Sequence, residues 1–286
     1  MLWRTPQRTF DLSHRGLIMG VVNVTDDSFS DGGQFCDADA AVAHARQLAA
    51  EGADILDIGG ESTRPGAAPV NEAEELRRVL PVIERLSAFR FQLSAFPLLS
   101  IDTRKPAVAR AAMERGAAII NDVTGLRDPA MREVVRETGA GAIAMHMQGE
   151  PQTMQHAPHY ADVTAEIREF FRQIFDASVA CDIDPMCLAF DPGIGFGKTV
   201  EHNLALIRNL ASMRIADRPL VLGISRKSFI GKVLGSTAMA DRAWPTVALT
   251  SYGRERGASV FRVHEVRANV QALRMTEAIL QPEIAA

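Results

Sequence analysis

The chain has 286 residues, 47% of them hydrophobic and 23% charged, and a net charge of −4 at neutral pH. That length suits two average domains or one α/β barrel and can bury a core without staples. The charge leaves no electrostatic footprint for nucleic acid, and no apolar run reaches the roughly 18 residues of a membrane span. Cys36, Cys181 and Cys187 are odd in number and lack metal-ligand spacing, and the N-terminus "MLWRTPQRTFDLSHRG" has no secretory h-region. The expected setting is a reducing cytoplasm.

Apolar runs recur at 16–24, 53–60, 97–102, 117–122, 141–147, 186–191, 219–225 and 258–264. They are nearly continuous in hydrophobicity, as strands covered on both faces must be. Between them, helical patterns cover 37–52, a stretch near 72–89, 105–116, 165–180 and 265–280. Pro106 stands near the start of one and Gly116 at its end, the usual asymmetry of helix punctuation. Segment 66–75 is a surface loop leading into its helix. No repeat, linker or low-complexity segment interrupts the order. Eight strand–helix alternations predict a single (β/α)8 TIM barrel over 1–286. A doubly wound open sheet is the alternative, but no GxGxxG comes after the first strand. A long polar loop, "TDDSFSDGG" (25–33), stands in that place.

Polar residues stand at the end of every run. Asn23 is in the first, and Glu61, Ser62, Thr63 and Arg64 come after the second. Asp102 ends the third, Asn121 and Asp122 the fourth. His146 and Gln148 mark the fifth, Asp191 the sixth, Ser225, Arg226 and Lys227 the seventh, Arg262 and His264 the eighth. Any one of these could be a helix cap. Eight together, at the C-terminal ends of barrel strands, mark the face where barrel enzymes build their sites. Asp102, Asn121 and Asp191 suit a flat heterocycle rich in N–H donors, because a buried carboxylate rejects an analogue that leaves it unpaired. Arg64, Lys227, Arg262 and His264 suit a phosphate. Arg262 and His264, two apart in one strand, share a face, and an arginine there requires an anionic partner.

Two motifs carry less. "DPGIGFGKT" (191–199) ends like a P-loop, but its first glycine position holds Pro192, so Lys198 is not a phosphate-cradling lysine and the glycines serve a tight loop. His146, His156 and His159 lie in a proline-broken stretch without metal-site spacing. Met145, Met147 and Met154 either line a flat ligand or fill the core.

The segments "MGVVNVTDDSFSDGG", "DIGGESTRPGA", "SIDTRKPAVARAA", "IINDVTG", "MHMQGEP", "FDPGIGFGKT", "GISRKSFIG" and "FRVHEV" occur in one order from about residue 16 to 266. In this the sequence resembles the dihydropteroate synthases of the pterin-binding enzymes. The resemblance implies a transferase of folate biosynthesis, assisted by Mg2+, that joins a dihydropterin pyrophosphate to p-aminobenzoate, and it implies a homodimer through the late helices near 241–280. By that resemblance Asp102, Asn121, Met145, Asp191, Gly223 and Lys227 hold the pterin, and Arg262 stacks on it. Asn23 meets the metal, and Arg262 and His264 meet the pyrophosphate. Thr63, Arg64 and Pro65, with Phe29 and Asp31, close over the site. Phe196, Lys227 and Ser228 form the p-aminobenzoate pocket, where sulfonamides compete. Asp31, Arg64, Lys227, Arg262 and His264 are the residues implied in catalysis.

One position departs from the family pattern. Asp26 stands where "NVTPDSFSDGG" has proline, which frees the loop at a cost of about 0.5–1 kcal/mol on ordering. Weaker p-aminobenzoate affinity is the expected consequence. A corrinoid-linked methyltransferase shares the pterin-binding barrel but has no need of "STRPG", "SRKS" and "RVH". A non-catalytic ligand-binding relative would have lost a loop residue or a phosphate ligand.

Overall fold

In the computed structural model, residues 1–24, 34–63, 66–92, 96–150 and 153–281 are described. The expectations attached to Asp26, Phe29, Asp31, Arg64 and Pro65 lie outside these residues.

The chain begins with a small antiparallel hairpin, β1 (Leu2–Arg4) and β2 (Thr9–Asp11). Eight parallel strands come next: β3 (Leu17–Asn23), β4 (Ile55–Gly59), β5 (Leu98–Asp102), β6 (Ile119–Asp122), β7 (Gly141–Met145), β8 (Leu188–Asp191), β9 (Val221–Leu222) and β10 (Val260–Val263). They pair in the order β8-β7-β6-β5-β4-β3-β10-β9. A parallel bridge between Phe190 and Leu220 joins the two edges, so the sheet closes on itself. The helices are α1 (Gln34–Ala50), α2 (Glu72–Gln92), α3 (Pro106–Glu114), α4 (Pro129–Thr138), α5 (Val163–Val179), α6 (Val200–Arg208), α7 (Ser228–Leu234), α8 (Ala243–Glu255) and α9 (Val266–Leu280). This is the expected (β/α)8 barrel, and each of the eight apolar runs contains one of its strands.

Strand alternation divides the side chains into two sets. Val22, Leu56, Ile58, Leu99, Ile101 and Ile120 point outward and pack with helix residues such as Leu48, Val79, Ile83 and Val108 in one buried cluster. The other parity points inward. Met19, Ile55, Leu98, Ile119, Ile143, Ala189, Val221 and Val260 fill the lower barrel. Two or four residues further along the same faces come Asp57, Asp102, Asn121, Met145, Asp191, Gly223 and Arg262. Seven of the eight strands therefore carry an apolar foundation and, one or two steps up, a residue at the C-terminal mouth that is polar or small in every strand but β7, where it is Met145.

The hairpin was not legible as structure, because two three-residue strands leave no periodic signal. It closes the opposite end of the barrel. Trp3, Phe10 and Leu12 are buried in the same cluster as Leu17, Leu98 and Val260. Trp3 Nε1 also donates to the Cys187 carbonyl at 2.8 Å. Trp3→Ala should therefore destabilise the fold by about 3–5 kcal/mol, read as a lowered urea midpoint. The kcat of the folded fraction should be unchanged, since the site is at the far end. A midpoint equal to wild type would show that the hairpin is dispensable.

Candidate active site

The cleft at the C-terminal mouth is built from loop and strand-end residues. Its polar floor starts at Asp57, fully buried inside β4. One oxygen of Asp57, Oδ2, accepts from Arg262 Nε at 2.6 Å and from Asn121 Nδ2 at 3.1 Å. Arg262 Nη2 donates to Asp102 Oδ2 at 2.7 Å. Two carboxylates thus share one guanidinium. The anionic partners that a buried arginine requires, Asp57 and Asp102, lie within the chain. Burial works against the charge of Arg262, but Asp57 and Asp102 outweigh it and hold the guanidinium above its ordinary range.

Burial pushes the Asp102 carboxyl up to about 7, against the pull of Arg262 and with further upward pressure from Asp57 and Glu75. Asp191 is raised for the same reason, opposed by the Gly193 N–H and by the charges of Lys227, Lys198 and Arg262. Its Oδ1 accepts from Gly193 N at 2.7 Å. A Cβ on Gly223 would stand 3.4 Å from the other oxygen, so the missing side chain leaves open space beside Asp191. Asn121 donates its amide nitrogen to Asp57, which turns its carbonyl oxygen to the remaining side. The floor therefore presents hydrogen-bond acceptors.

The walls are apolar. Met145 belongs to a buried cluster with Val123, Met147 and Met154, and Phe196 packs against it. Met145, Val123, Ile194 and Phe196 also line the cleft, so this methionine both fills core and faces the open space. Lys227 Nζ lies 4.0 Å from the centre of the Phe196 ring. Thr63 and Arg262 complete the lining. Ser228 is exposed at the first position of α7, beside the cleft and not among its lining residues. Asn23 and His264 are half-buried at the ends of β3 and β10.

Several strand-end residues do other work. Asp122, one residue beyond Asn121 and so on the opposite face, accepts from Thr124 N and Leu126 N at 2.8 Å each and braces its loop. Glu61 accepts from Lys105 at 2.7 Å and from Val70 N at 3.3 Å. It holds the base of the second loop. Lys198 is 4% exposed and ties two loops together. Its Nζ donates to the Phe196 carbonyl at 2.9 Å and meets His146 Nδ1 at 3.2 Å. Burial brings this amine down to about 7, with Asp191 opposing and Lys227 adding to the shift. Gly193, with φ +66°, makes the close approach possible: a Cβ there would lie 1.9 Å from the His146 carbonyl oxygen. The tight-loop reading of "DPGIGFGKT" is thus the right one.

Sequence reading missed Asp57, Val123 and Ile194. For Asp57 a signal existed, since an acid inside the apolar run "ILDIG" needs a buried partner.

The family described as pterin binding enzyme matches residues 19–264. The dihydropteroate synthase of Escherichia coli K12 is 44% identical over 272 residues, 95% of this chain and 94% of that protein. The chain belongs to the pterin-binding enzymes, among the dihydropteroate synthases. Solved structures of these synthases agree. That of the Xanthomonas albilineans enzyme with 4-aminobenzoic acid has a TM-score of 0.89 at 44% identity, covering 98% of each chain. That of the Burkholderia cenocepacia enzyme with 7,8-dihydropteroate has a TM-score of 0.87 at 39% identity, covering 100% of this chain and 98% of the other. As in other dihydropteroate synthases, the activity is that of a transferase. No helix among the described residues is long and apolar enough to cross a membrane.

Proposed function

We propose that the cleft binds the dihydropterin ring against Asp102, Asn121 and Asp191, and that p-aminobenzoate enters beside Phe196, Lys227 and Ser228. The reaction condenses 6-hydroxymethyl-7,8-dihydropterin pyrophosphate with p-aminobenzoate to 7,8-dihydropteroate and pyrophosphate, in folate synthesis. The observation that carries the assignment is the row of acceptors from β5, β6 and β8, facing one space with apolar walls. A pterin offers the complement: N–H donors along one edge and two flat faces. Met145 and Arg262 take the faces, Gly223 leaves room for the ring, and Thr63 closes the rim. The plane of Arg262 is already fixed by its two carboxylates, which suits stacking more than phosphate capture.

The chemistry needs little activation of the nucleophile, because an aniline nitrogen is neutral at pH 7. The bond from the exocyclic methylene to oxygen breaks, and its electron pair leaves with pyrophosphate. The electron-rich pterin carries the developing cation, the amine forms the C–N bond, and the surplus proton passes to solvent. Positioning and electrostatics supply the rate. Lys227 orients both substrates, and His264 meets the pyrophosphate. Phe29, Asp31, Arg64 and Pro65 complete the reading as closing residues on the two loops.

Mg2+ fits the donor set through Asn23, a single hard oxygen donor. Among the described residues no cluster of three or more His, Cys, Asp or Glu could hold an ion alone. That matches an ion bound mainly by substrate phosphates, where it would neutralise the leaving group's charge. We further read the chain as a cytoplasmic homodimer. Trp244, Met275 and Ile279, on α8 and α9, are 78%, 63% and 69% exposed, an apolar cover for a second copy.

Pyrophosphate release from the pterin pyrophosphate should depend strictly on added p-aminobenzoate. Binding of both substrates without release would refute the assignment in favour of an inert relative, and methyl transfer in favour of a corrinoid-linked enzyme.

A further inference from the structure

Ser225 lies buried in the loop after β9 and does not line the cleft. Its hydroxyl oxygen accepts from the backbone N–H of His264 at 3.1 Å and lies 2.9 Å from Nδ1 of the same residue. Its third contact is Glu265 Oε2, at 3.5 Å. A serine hydroxyl has two acceptor positions and one hydrogen. All three are used when the backbone N–H and Nδ1–H of His264 donate to Oγ and the hydroxyl donates to Glu265. Glu265 is itself anchored, since Oε1 accepts from Arg226 Nε at 2.6 Å. Arg226 has φ +57°, a left-handed conformation that a branched or long side chain seldom adopts. Thr246 Oγ1 accepts from its N–H at 3.2 Å, and Arg242 Nη1 donates to its carbonyl at 3.1 Å. Such strain persists only where its surroundings over-determine it, and it gathers at functional sites. Here it stands between Ser225 and Lys227.

We propose that Ser225, with Glu265 behind it, is a positioning residue for the leaving-group end of the site: it accepts from Nδ1–H of the His264 imidazolium and holds its ring, so that Nε2–H donates to the pyrophosphate. Two contacts from one residue to one oxygen fix the ring plane. Arg226 locks the carboxylate that orients the hydroxyl. The same anchor sets the backbone that leads into Lys227, so the pterin end and the leaving-group end keep a fixed spacing. This inference rests on the reading of His264 as a pyrophosphate contact.

The test compares two ligands by calorimetry, the dihydropterin pyrophosphate and the same dihydropterin carrying only a hydroxymethyl group. Ser225→Ala and His264→Gln should each weaken the pyrophosphate about tenfold, the factor for one hydrogen bond to a charged group, and leave the hydroxymethyl compound within about twofold. Glu265→Gln should show the same pattern with a smaller loss. With the pyrophosphate compound bound, nitrogen-15 spectra of His264 should show hydrogen on both ring nitrogens in the parent, and the hydrogen-bonded Nδ1–H signal should be lost in Ser225→Ala. If His264→Gln weakens the pyrophosphate and Ser225→Ala does not, the role of Ser225 is refuted and the reading of His264 stands. Equal losses on both ligands in Ser225→Ala would mean a merely structural serine and refute the proposal. No effect of His264→Gln would overturn the reading and the proposal together.

Discussion

Asp57→Asn is expected to lower kcat/KM for the pterin pyrophosphate by about two to three orders of magnitude, although Asp57 stands beneath the cleft and does not line it. The size comes from the contacts that the substitution breaks. Removing one partner of a buried ion pair costs about 3–5 kcal/mol, because the charge left behind is uncompensated. Here Arg262 would keep only Asp102, and Asp102 would be drawn from the ligand towards the guanidinium. The amide cannot substitute for the carboxylate. Asp57 Oδ1 has no hydrogen-bond partner and is fully buried. If the asparagine oxygen takes the place of Oδ2, its NH2 is buried without an acceptor. If the amide is reversed, the NH2 faces two donors, Arg262 Nε and Asn121 Nδ2. Asn121 can then escape only by flipping, which would present an NH2 group to a ligand edge that also donates. The loss should fall on pterin binding, with KM for p-aminobenzoate changed by no more than a few-fold, and steady-state kinetics with each substrate varied in turn would show this. A variant within threefold of the parent for the pterin pyrophosphate would remove Asp57 from the site.

The same four residues show what a sequence can and cannot reveal. The eight strands were legible because parallel strands buried on both faces read as unbroken apolar runs, and residues at their ends could be placed on one rim by topology alone. Asp102, Asn121, Asp191 and Arg262 were found that way, and the structure brings them to one cleft. Their roles were less legible. Asp122 comes directly after Asn121 and looks equivalent in the sequence, yet strand parity sends it to brace a loop. Arg262 requires an anionic partner, but the sequence does not show which, because Asp57 comes from 205 residues away. No local spacing encodes such a pairing. Lys198 shows the converse. Pro192 rules out a P-loop, but only the fold shows that the lysine fastens the Phe196 carbonyl to the loop after β7. The hairpin escaped because its strands hold three residues each, and their value lies in the end of the barrel they seal.

Pterin affinity should fall with acid from about neutrality, and Asp102 is the reason. In the free protein its carboxyl titrates near 7, well above the ordinary 3.8, chiefly because burial disfavours the charge. The sign of the consequence for folding is fixed by that direction. The folded chain keeps a proton that the unfolded chain releases, so the contribution of Asp102 to stability is full below 3.8 and is lost as pH rises through about 7. Binding runs the other way. A ring that donates N–H groups to the carboxylate selects the ionised form, so protonation competes with the ligand. Below about pH 7, affinity for a hydroxymethyl dihydropterin should drop by up to tenfold per unit, or about 1.4 kcal/mol. Above that it should level off. Asp191 is raised by burial as well, opposed by the Gly193 N–H and by the neighbouring cations. Asp102→Asn should flatten the profile between pH 5.5 and about 7.5, because the amide does not titrate, while lowering affinity at pH 8, where the parent is ionised and the amide offers one acceptor in place of a charge. Calorimetric titration of both proteins across that range decides the matter. A parent profile flat across pH 7, or a slope that survives in Asp102→Asn, would place the titrating group elsewhere than on β5.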